Sequence, residues 1–324
     1  MRTSAAMPNG GRGHRRRAGK EPMAGGWAGK AAEILRASAV PLERDFPLSR
    51  LTTLGVGGPA DFLLRPTGVP SLAQALAGLS DEGIPLAFLG AGSNLIVSDA
   101  GFRGVVICLS DLTGEMQVEG TRVRVAAGWR LPSLVSRLTR LGLSGLEWAE
   151  GIPGSVGGSV RMNAGAFGVS MQSRVCEVTL LDRQGGVERR RVSPSEFVYR
   201  GSPFVGNAAV VEVEFELVER KPSEMEEVLR PIRDKRRKTQ PAGVRSSGCV
   251  WKNPPGSNAG RLVQMAGLKG TARGGARISE VHGNFIVNTG GATFSDVMAL
   301  ADLIREKVLK EFEVALEMEV VVWE

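Results

Sequence analysis

Glycine constrains this chain more than any other residue. It supplies 43 of the 324 residues, and the excess falls in short runs between apolar segments. Three runs stand out: Gly55-Val-Gly-Gly58, Gly90-Ala-Gly-Ser-Asn94 and Gly151-Ile-Pro-Gly-Ser-Val-Gly-Gly158. With no Cβ in the way, glycine backbone N–H groups can surround phosphate oxygens. One such run is ordinarily a tight turn. Three of them, two with hydroxyl residues at the tip, point to a cofactor pyrophosphate. The second run follows a strand, but it lacks the Gly-x-Gly-x-x-Gly spacing and no helix follows it. A Rossmann fingerprint is therefore not supported.

The segments around the glycines read as alternating strands and helices. Asp61-Phe-Leu-Leu64 is an apolar strand. Ser71 is placed to cap a helix through Leu79, and Pro85–Leu89 is a short buried strand running into the second glycine run, with Leu95-Ile-Val97 behind it. Val123 and Val125 alternate with arginines, a helix is expected over Leu131–Leu141, and Val175–Leu181 and Val187–Val192 flank Gly185-Gly186 as a hairpin. Val211, Val213, Phe215 and Leu217 alternate with Glu212, Glu214 and Glu216, giving a strand with one wet face. Ser223 and Glu226 have capping-box spacing for a helix towards Thr239, with Pro231 predicting a kink or a late start. Ser295 is placed to cap a last helix, and Val314–Trp323 reads as a terminal strand. No internal repeat is visible.

Composition excludes several classes. Hydrophobic residues make up 42% and charged residues 23%, so most of the chain should fold. Residues 1–29 are rich in Gly, Arg and Ala without periodicity and read as a disordered basic tail. The net charge of +7 comes largely from that tail and from Arg233-Asp-Lys-Arg-Arg-Lys238. A nucleic-acid partner is disfavoured, because aromatics are 5% with one Tyr, and stacking platforms are scarce. The three cysteines (Cys108, Cys176, Cys249) and two histidines have no metal-ligand spacing and suggest no disulfide framework. No apolar run approaches a membrane span and the basic start lacks the apolar stretch of a secretory signal. A cytoplasmic monomer is expected.

The ordered motifs Gly90-Ala-Gly-Ser-Asn-Leu95, Glu150-Gly-Ile-Pro-Gly-Ser-Val-Gly-Gly158, Asn163-Ala-Gly-Ala166, Tyr199-Arg-Gly-Ser202, Ser247-Gly-Cys-Val-Trp-Lys-Asn-Pro254 and Ala266-Gly-Leu-Lys-Gly270 resemble the UDP-N-acetylenolpyruvoylglucosamine reductase (MurB) family. The match runs from about Leu51 to Val322. The resemblance implies an α+β chain: a two-lobed FAD-binding module of the vanillyl-alcohol-oxidase type over 30–106 and 107–218, then a substrate-binding domain over 219–324. It also implies non-covalent FAD, NADPH as co-substrate, and a UDP-sugar enolpyruvyl ether as substrate. The cofactor residues it points to are Gly55, Gly57, Gly90, Ala91, Gly92, Ser93, Asn94, Leu95, Gly151, Gly154, Ser155, Gly157, Gly158, Asn163, Gly165 and Ala166.

The family's catalytic arginine maps onto Arg200 and its glutamate onto Glu319. Glu317 lies on the same strand face, and the sequence alone does not choose between the two. The family's proton donor is usually serine; Cys249 stands there instead. A thiol is a stronger acid than a hydroxyl and is largely neutral near pH 7, so cysteine can replace serine as donor. The resemblance further implies substrate contacts from Tyr199, Lys252 and Asn253, and a metal is not expected. The competing reading is another flavoenzyme of the same fold acting on an alcohol or sugar. The Tyr199-Arg200 and Cys249 motifs argue against it.

Overall fold

The computed structural model describes residues 26–80, 82–204, 206 and 208–324. Most of the basic tail lies outside the described residues. Its last residues do not extend the tail: helix α1 (Trp27–Ala37) begins there, burying Ala28, Ala31, Ala32 and Leu35. No sequence signal marked this helix, because small residues carry its buried stripe.

The first lobe continues with β1 (Leu42–Pro47), β2 (Pro59–Leu64), α2 (Val69–Ser80), β3 (Leu86–Leu89), β4 (Leu95–Val97) and β5 (Phe102–Cys108). Its sheet runs β1-β2-β5-β3, with β5 parallel to both neighbours. A parallel strand covered on both faces needs an unbroken apolar run. β2 has one: Phe62 and Leu64 face α1 and α2, while Leu63 enters a separate cluster with Leu48, Val97 and Val106. Helix α2 starts two residues before the expected cap, and the Ser71 hydroxyl instead donates to the Gly68 carbonyl.

The second lobe contains β6 (Gln117–Glu119), β7 (Arg122–Ala126), α3 (Leu131–Leu141), β8 (Leu143–Ser144), α4 (Val156–Arg161), β9 (Gly165–Ala166), β10 (Val169–Ser170), β11 (Val175–Asp182), β12 (Val187–Arg191), β13 (Ala208–Glu216) and β14 (Val218–Glu219). The antiparallel order β12-β11-β13-β7-β6 buries Val123, Val125, Val213 and Phe215 beneath α3 and α4.

The opposite face was expected to be wet, but Glu214 is only 7% exposed. It accepts from Arg124 at 3.1 and 2.5 Å, and Arg189 and Arg122 lie 3.4 and 3.7 Å away. Burial alone would raise its pKa; the Arg124 hydrogen bond and charge outweigh that and hold the carboxyl below its usual range. A depressed carboxyl stabilises the fold above its unfolded pKa, and that contribution disappears as pH falls through the folded value. Glu214→Gln is expected to cost about 1–3 kcal/mol at pH 7 and less at pH 3. Thermal melts at the two pH values check this; an equal loss at both would refute it.

The third unit comprises α5 (Pro222–Thr239), β15 (Arg245–Cys249), α6 (Ala259–Met265), β16 (Ala272–Arg273), β17 (Ala276–Ile278), β18 (Phe285–Asn288), α7 (Phe294–Phe312) and β19 (Val321–Trp323). Helix α5 starts on Pro222, with no side-chain cap at Lys221, and continues through Pro231. A proline at the first helical position brings a preset φ and loses no helical N–H bond, so the Ser223 box is not the start. α5 also buries Leu229 in the second lobe's core. The cap of α7 is Thr293, not Ser295: its hydroxyl accepts from Asp296 N at 3.1 Å, and its own N–H donates to Asp296 Oδ2 at 3.0 Å.

The expected terminal strand is shorter and divided between partners. Met318 makes a single bridge to Trp251. Val321–Trp323 forms β19, which pairs in parallel with β4 of the first lobe. Among the described residues no helix is long and apolar enough to cross a membrane.

Candidate active site

A cavity of ≈ 740 Å³ draws its walls from all three units, within the range of small-molecule and cofactor sites. Two glycine loops form one wall. Gly90 to Leu95 and Gly151, Gly154, Ser155, Gly157 and Gly158 all line it, as do Gly165 and Ala166. The loops touch: Ser93 Oγ donates to the Pro153 carbonyl at 3.1 Å. Gly92 has φ +61°, and a Cβ there would lie 2.0 Å from the Leu51 carbonyl oxygen, so only glycine fits. Ser155 caps α4, accepting from Gly158 N at 3.3 Å.

Among the described residues, the backbone N–H groups of Ala91, Gly92, Ser93 and Asn94 have no intramolecular acceptor. Backbone donors are rarely left unpaired. Four in succession on a cavity wall suit an anionic ligand such as the diphosphate of FAD, and the residues present fit that group.

Three side chains converge on another wall. Arg200 and Glu319 form an ion pair, Nε to Oε1 2.6 Å. Cys249 lies close enough that both, together with Arg236, act on its thiol. Local geometry explains each placement. Arg200 sits in a two-residue turn closed by reciprocal Val198–Gly201 backbone bonds, both 3.1 Å. Its φ of +57° is a left-handed conformation of the kind found at functional sites. The pairing of β15 with β18 slips between Ser246 and Cys249, and Gly248 at φ +78° supplies the turn that a bulge needs. Glu319 N donates to the Val250 carbonyl at 2.8 Å, tying this segment beside Cys249.

Burial and the Glu319 charge push the Cys249 thiol up to about 12, against the opposing pull of Arg200 and Arg236. Burial also raises the Glu319 carboxyl, partly offset by Arg200. The thiol is thus neutral at physiological pH. It is also a poor nucleophile, so alkylating reagents should react with it slowly.

The structure separates Glu317 from Glu319. The Glu317 side chain is 74% exposed and pairs with Lys252, whereas that of Glu319 is 15% exposed and faces Arg200. Other expected residues fall outside the cavity lining. Gly55 and Gly57 pack against the Arg245 and Val97 side chains, and a Cβ on Gly58 would lie 2.2 Å from the Asp99 carbonyl oxygen, so the first glycine run packs closely against protein. The Asn163 amide donates to Gln172 Oε1 at 2.9 Å and to the Val198 carbonyl at 3.0 Å, which anchors the turn carrying Arg200. Tyr199 is exposed, with the Arg200 guanidinium 5.0 Å from its ring centroid. Asn253 accepts from Ala259 N at 3.0 Å, and Lys252 is occupied by Glu317.

Comparison with known proteins fits this arrangement. The family model described as UDP-N-acetylenolpyruvoylglucosamine reductase, C-terminal domain, matches residues 240–323, and the one described as FAD binding domain matches residues 60–190. UDP-N-acetylenolpyruvoylglucosamine reductase 2 of Symbiobacterium thermophilum is 43% identical over 283 residues, covering 87% of this chain and 92% of that protein. The chain belongs to the UDP-N-acetylenolpyruvoylglucosamine reductase family. The Heliobacterium modesticaldum reductase is 43% identical over 279 residues, 85% of this chain and 88% of its own. The crystal structure of the Thermus caldophilus reductase (MurB) superposes with a TM-score of 0.74 at 38% identity, over 88% of this chain and 99% of that one.

Within this reductase fold, sequence reasoning missed Arg161, Arg183 and Trp323 as lining residues and left Arg236 unresolved within its basic run. Arg161 lies three residues after the third glycine run, a signal that was available. Nothing local marks Arg183, which lies just beyond β11.

Proposed function

We propose that this chain reduces UDP-N-acetylenolpyruvoylglucosamine to UDP-N-acetylmuramate, with NADPH as electron donor and FAD held without a covalent link, in cytoplasmic peptidoglycan precursor synthesis. The observation that carries this reading is the meeting of Arg200, Glu319 and a neutral Cys249 thiol in the cavity bounded by the glycine loops. FAD, when bound, supplies hydride to the terminal carbon of the enolpyruvyl group.

The chain's own residues handle charge and proton. Arg200 presents forked donors to the enolpyruvyl carboxylate, where negative charge accumulates. Cys249 keeps its proton until charge builds on the adjacent carbon, then donates it there. Glu319 orients the Arg200 guanidinium through their ion pair. The thiolate left behind is held by Arg200 and Arg236 until it regains a proton from solvent.

Purified protein should show an oxidised-flavin absorbance band. Acid or heat should release all of the flavin into the supernatant, and NADPH oxidation should depend on the enolpyruvyl substrate. A colourless protein, or NADPH consumption indifferent to that substrate, would overturn the reading. Flavin remaining with the denatured chain would refute the non-covalent link.

A further inference from the structure

The cavity wall is electrostatically lopsided. Four arginines line it (Arg161, Arg183, Arg200 and Arg236), and Glu319 is the single carboxylate among the lining residues described. Two of the four face Cys249. Arg200 pairs with Glu319, while Arg236 donates to Gln240 Oε1 at 3.2 Å and lies over the Phe167 ring, with its Nε buried and without a partner among the described residues. Both act on Cys249 and so belong to the substrate side.

Arg161 and Arg183 are different. Neither influences the Cys249 thiol. Burial is what acts on Arg161, lowering its pKa, and no carboxylate opposes that. Among the described residues, the Nε of Arg183 is buried without a hydrogen-bond partner. A buried cation with no counter-charge is costly. Two partly buried arginines facing one cavity, with no ion pair among the described residues, suit an anion there.

Position narrows the choice of anion. Arg161 ends α4, the helix whose cap Ser155 belongs to the third glycine loop. That helix packs on β13, where a Cβ on Gly157 would lie 3.0 Å from the Val210 carbonyl oxygen. Arg183 follows β11, whose last residue, Asp182, pairs with Ala208 at the start of the same β13. Both arginines therefore flank one strand beside the glycine loops. Those loops offer backbone N–H donors but no formal charge, whereas a diphosphate carries about two negative charges.

We propose that Arg161 and Arg183 are the counter-charges of the FAD diphosphate. The proposal rests on the flavin reading above and adds two cofactor-binding residues to it.

The test is reconstitution of flavin-stripped enzyme with FAD, followed by flavin fluorescence, for wild type, Arg161→Gln, Arg183→Gln, the double variant and the two lysine replacements. Each glutamine variant should raise the FAD dissociation constant ~10-fold, and the double variant ~100-fold, on the scale of charge-assisted phosphate contacts. Lysine should recover most of the loss, because it keeps the charge. The flavin-free variants should melt within a degree or so of flavin-free wild type. Unchanged FAD affinity in the double variant would overturn the proposal. So would weakened affinity accompanied by a lower apo melting point and no rescue by lysine, which would mark a structural role. Wild type that takes up no flavin would instead defeat the functional reading.

Discussion

Cys249→Ala is expected to cut turnover ~10²–10⁴-fold, the usual worth of a positioned general acid, while leaving bleaching of the bound flavin by NADPH intact. Burial and the Glu319 charge push the thiol up to about 12, so its proton is in place throughout the working pH range and should not produce an alkaline fall in rate near neutrality. Cys249→Ser should keep much of the turnover, since a hydroxyl in the same bulge meets the same groups. Stopped-flow flavin absorbance separates the two half-reactions. An alanine variant that reoxidises with substrate at the wild-type rate would show that the proton comes from elsewhere. Ser247, whose hydroxyl is buried without a partner, would be the next donor to test.

Arg200→Gly should lose ~10²–10³-fold in turnover, the cost of removing one donor to a developing anion. It should do so without loss of melting temperature, because glycine accepts φ +57° more readily than arginine. That pairing of lost activity with kept stability sets a chemical role apart from a structural one. Glu319→Gln should cost less. The double variant should lose far less than the product of the two single losses, because both act through one ion pair. Multiplicative losses in steady-state turnover would show that the carboxylate works independently of the guanidinium.

How far the sequence reaches depends on whether a signal is local. The period of α3 and the β11–β12 hairpin are written in consecutive residues and are legible there. The cap of α7 is not legible because two polar residues near its start compete: Thr293 with Asp296 forms the reciprocal box that Ser295 does not; α5 instead starts on a proline with no side-chain cap. The chemistry of Cys249 could be read from its motif, but the bulge that turns it into the cavity could not. Glu317 and Glu319 were equivalent in a period-two pattern. Only the fold, by bringing Arg200 from the second lobe, tells them apart. The first glycine run had the same composition as the other two, and only its neighbours show that it packs against protein.

The pairing of β19 with β4 has a consequence for the order of assembly. Asn94, the last residue of the second glycine run, donates its side-chain amide to the Glu319 carbonyl at 3.1 Å, and its own carbonyl accepts from Val321 N at 3.1 Å. The first lobe thus borrows an edge strand translated after α7, more than two hundred residues downstream. During synthesis on the ribosome, β1, β2, β3 and β5 can form their sheet early, but β4 has no strand partner until β19 emerges. Closure of this wall of the pocket therefore waits for the last strand, and the segment that completes it also brings Glu319 into the cavity.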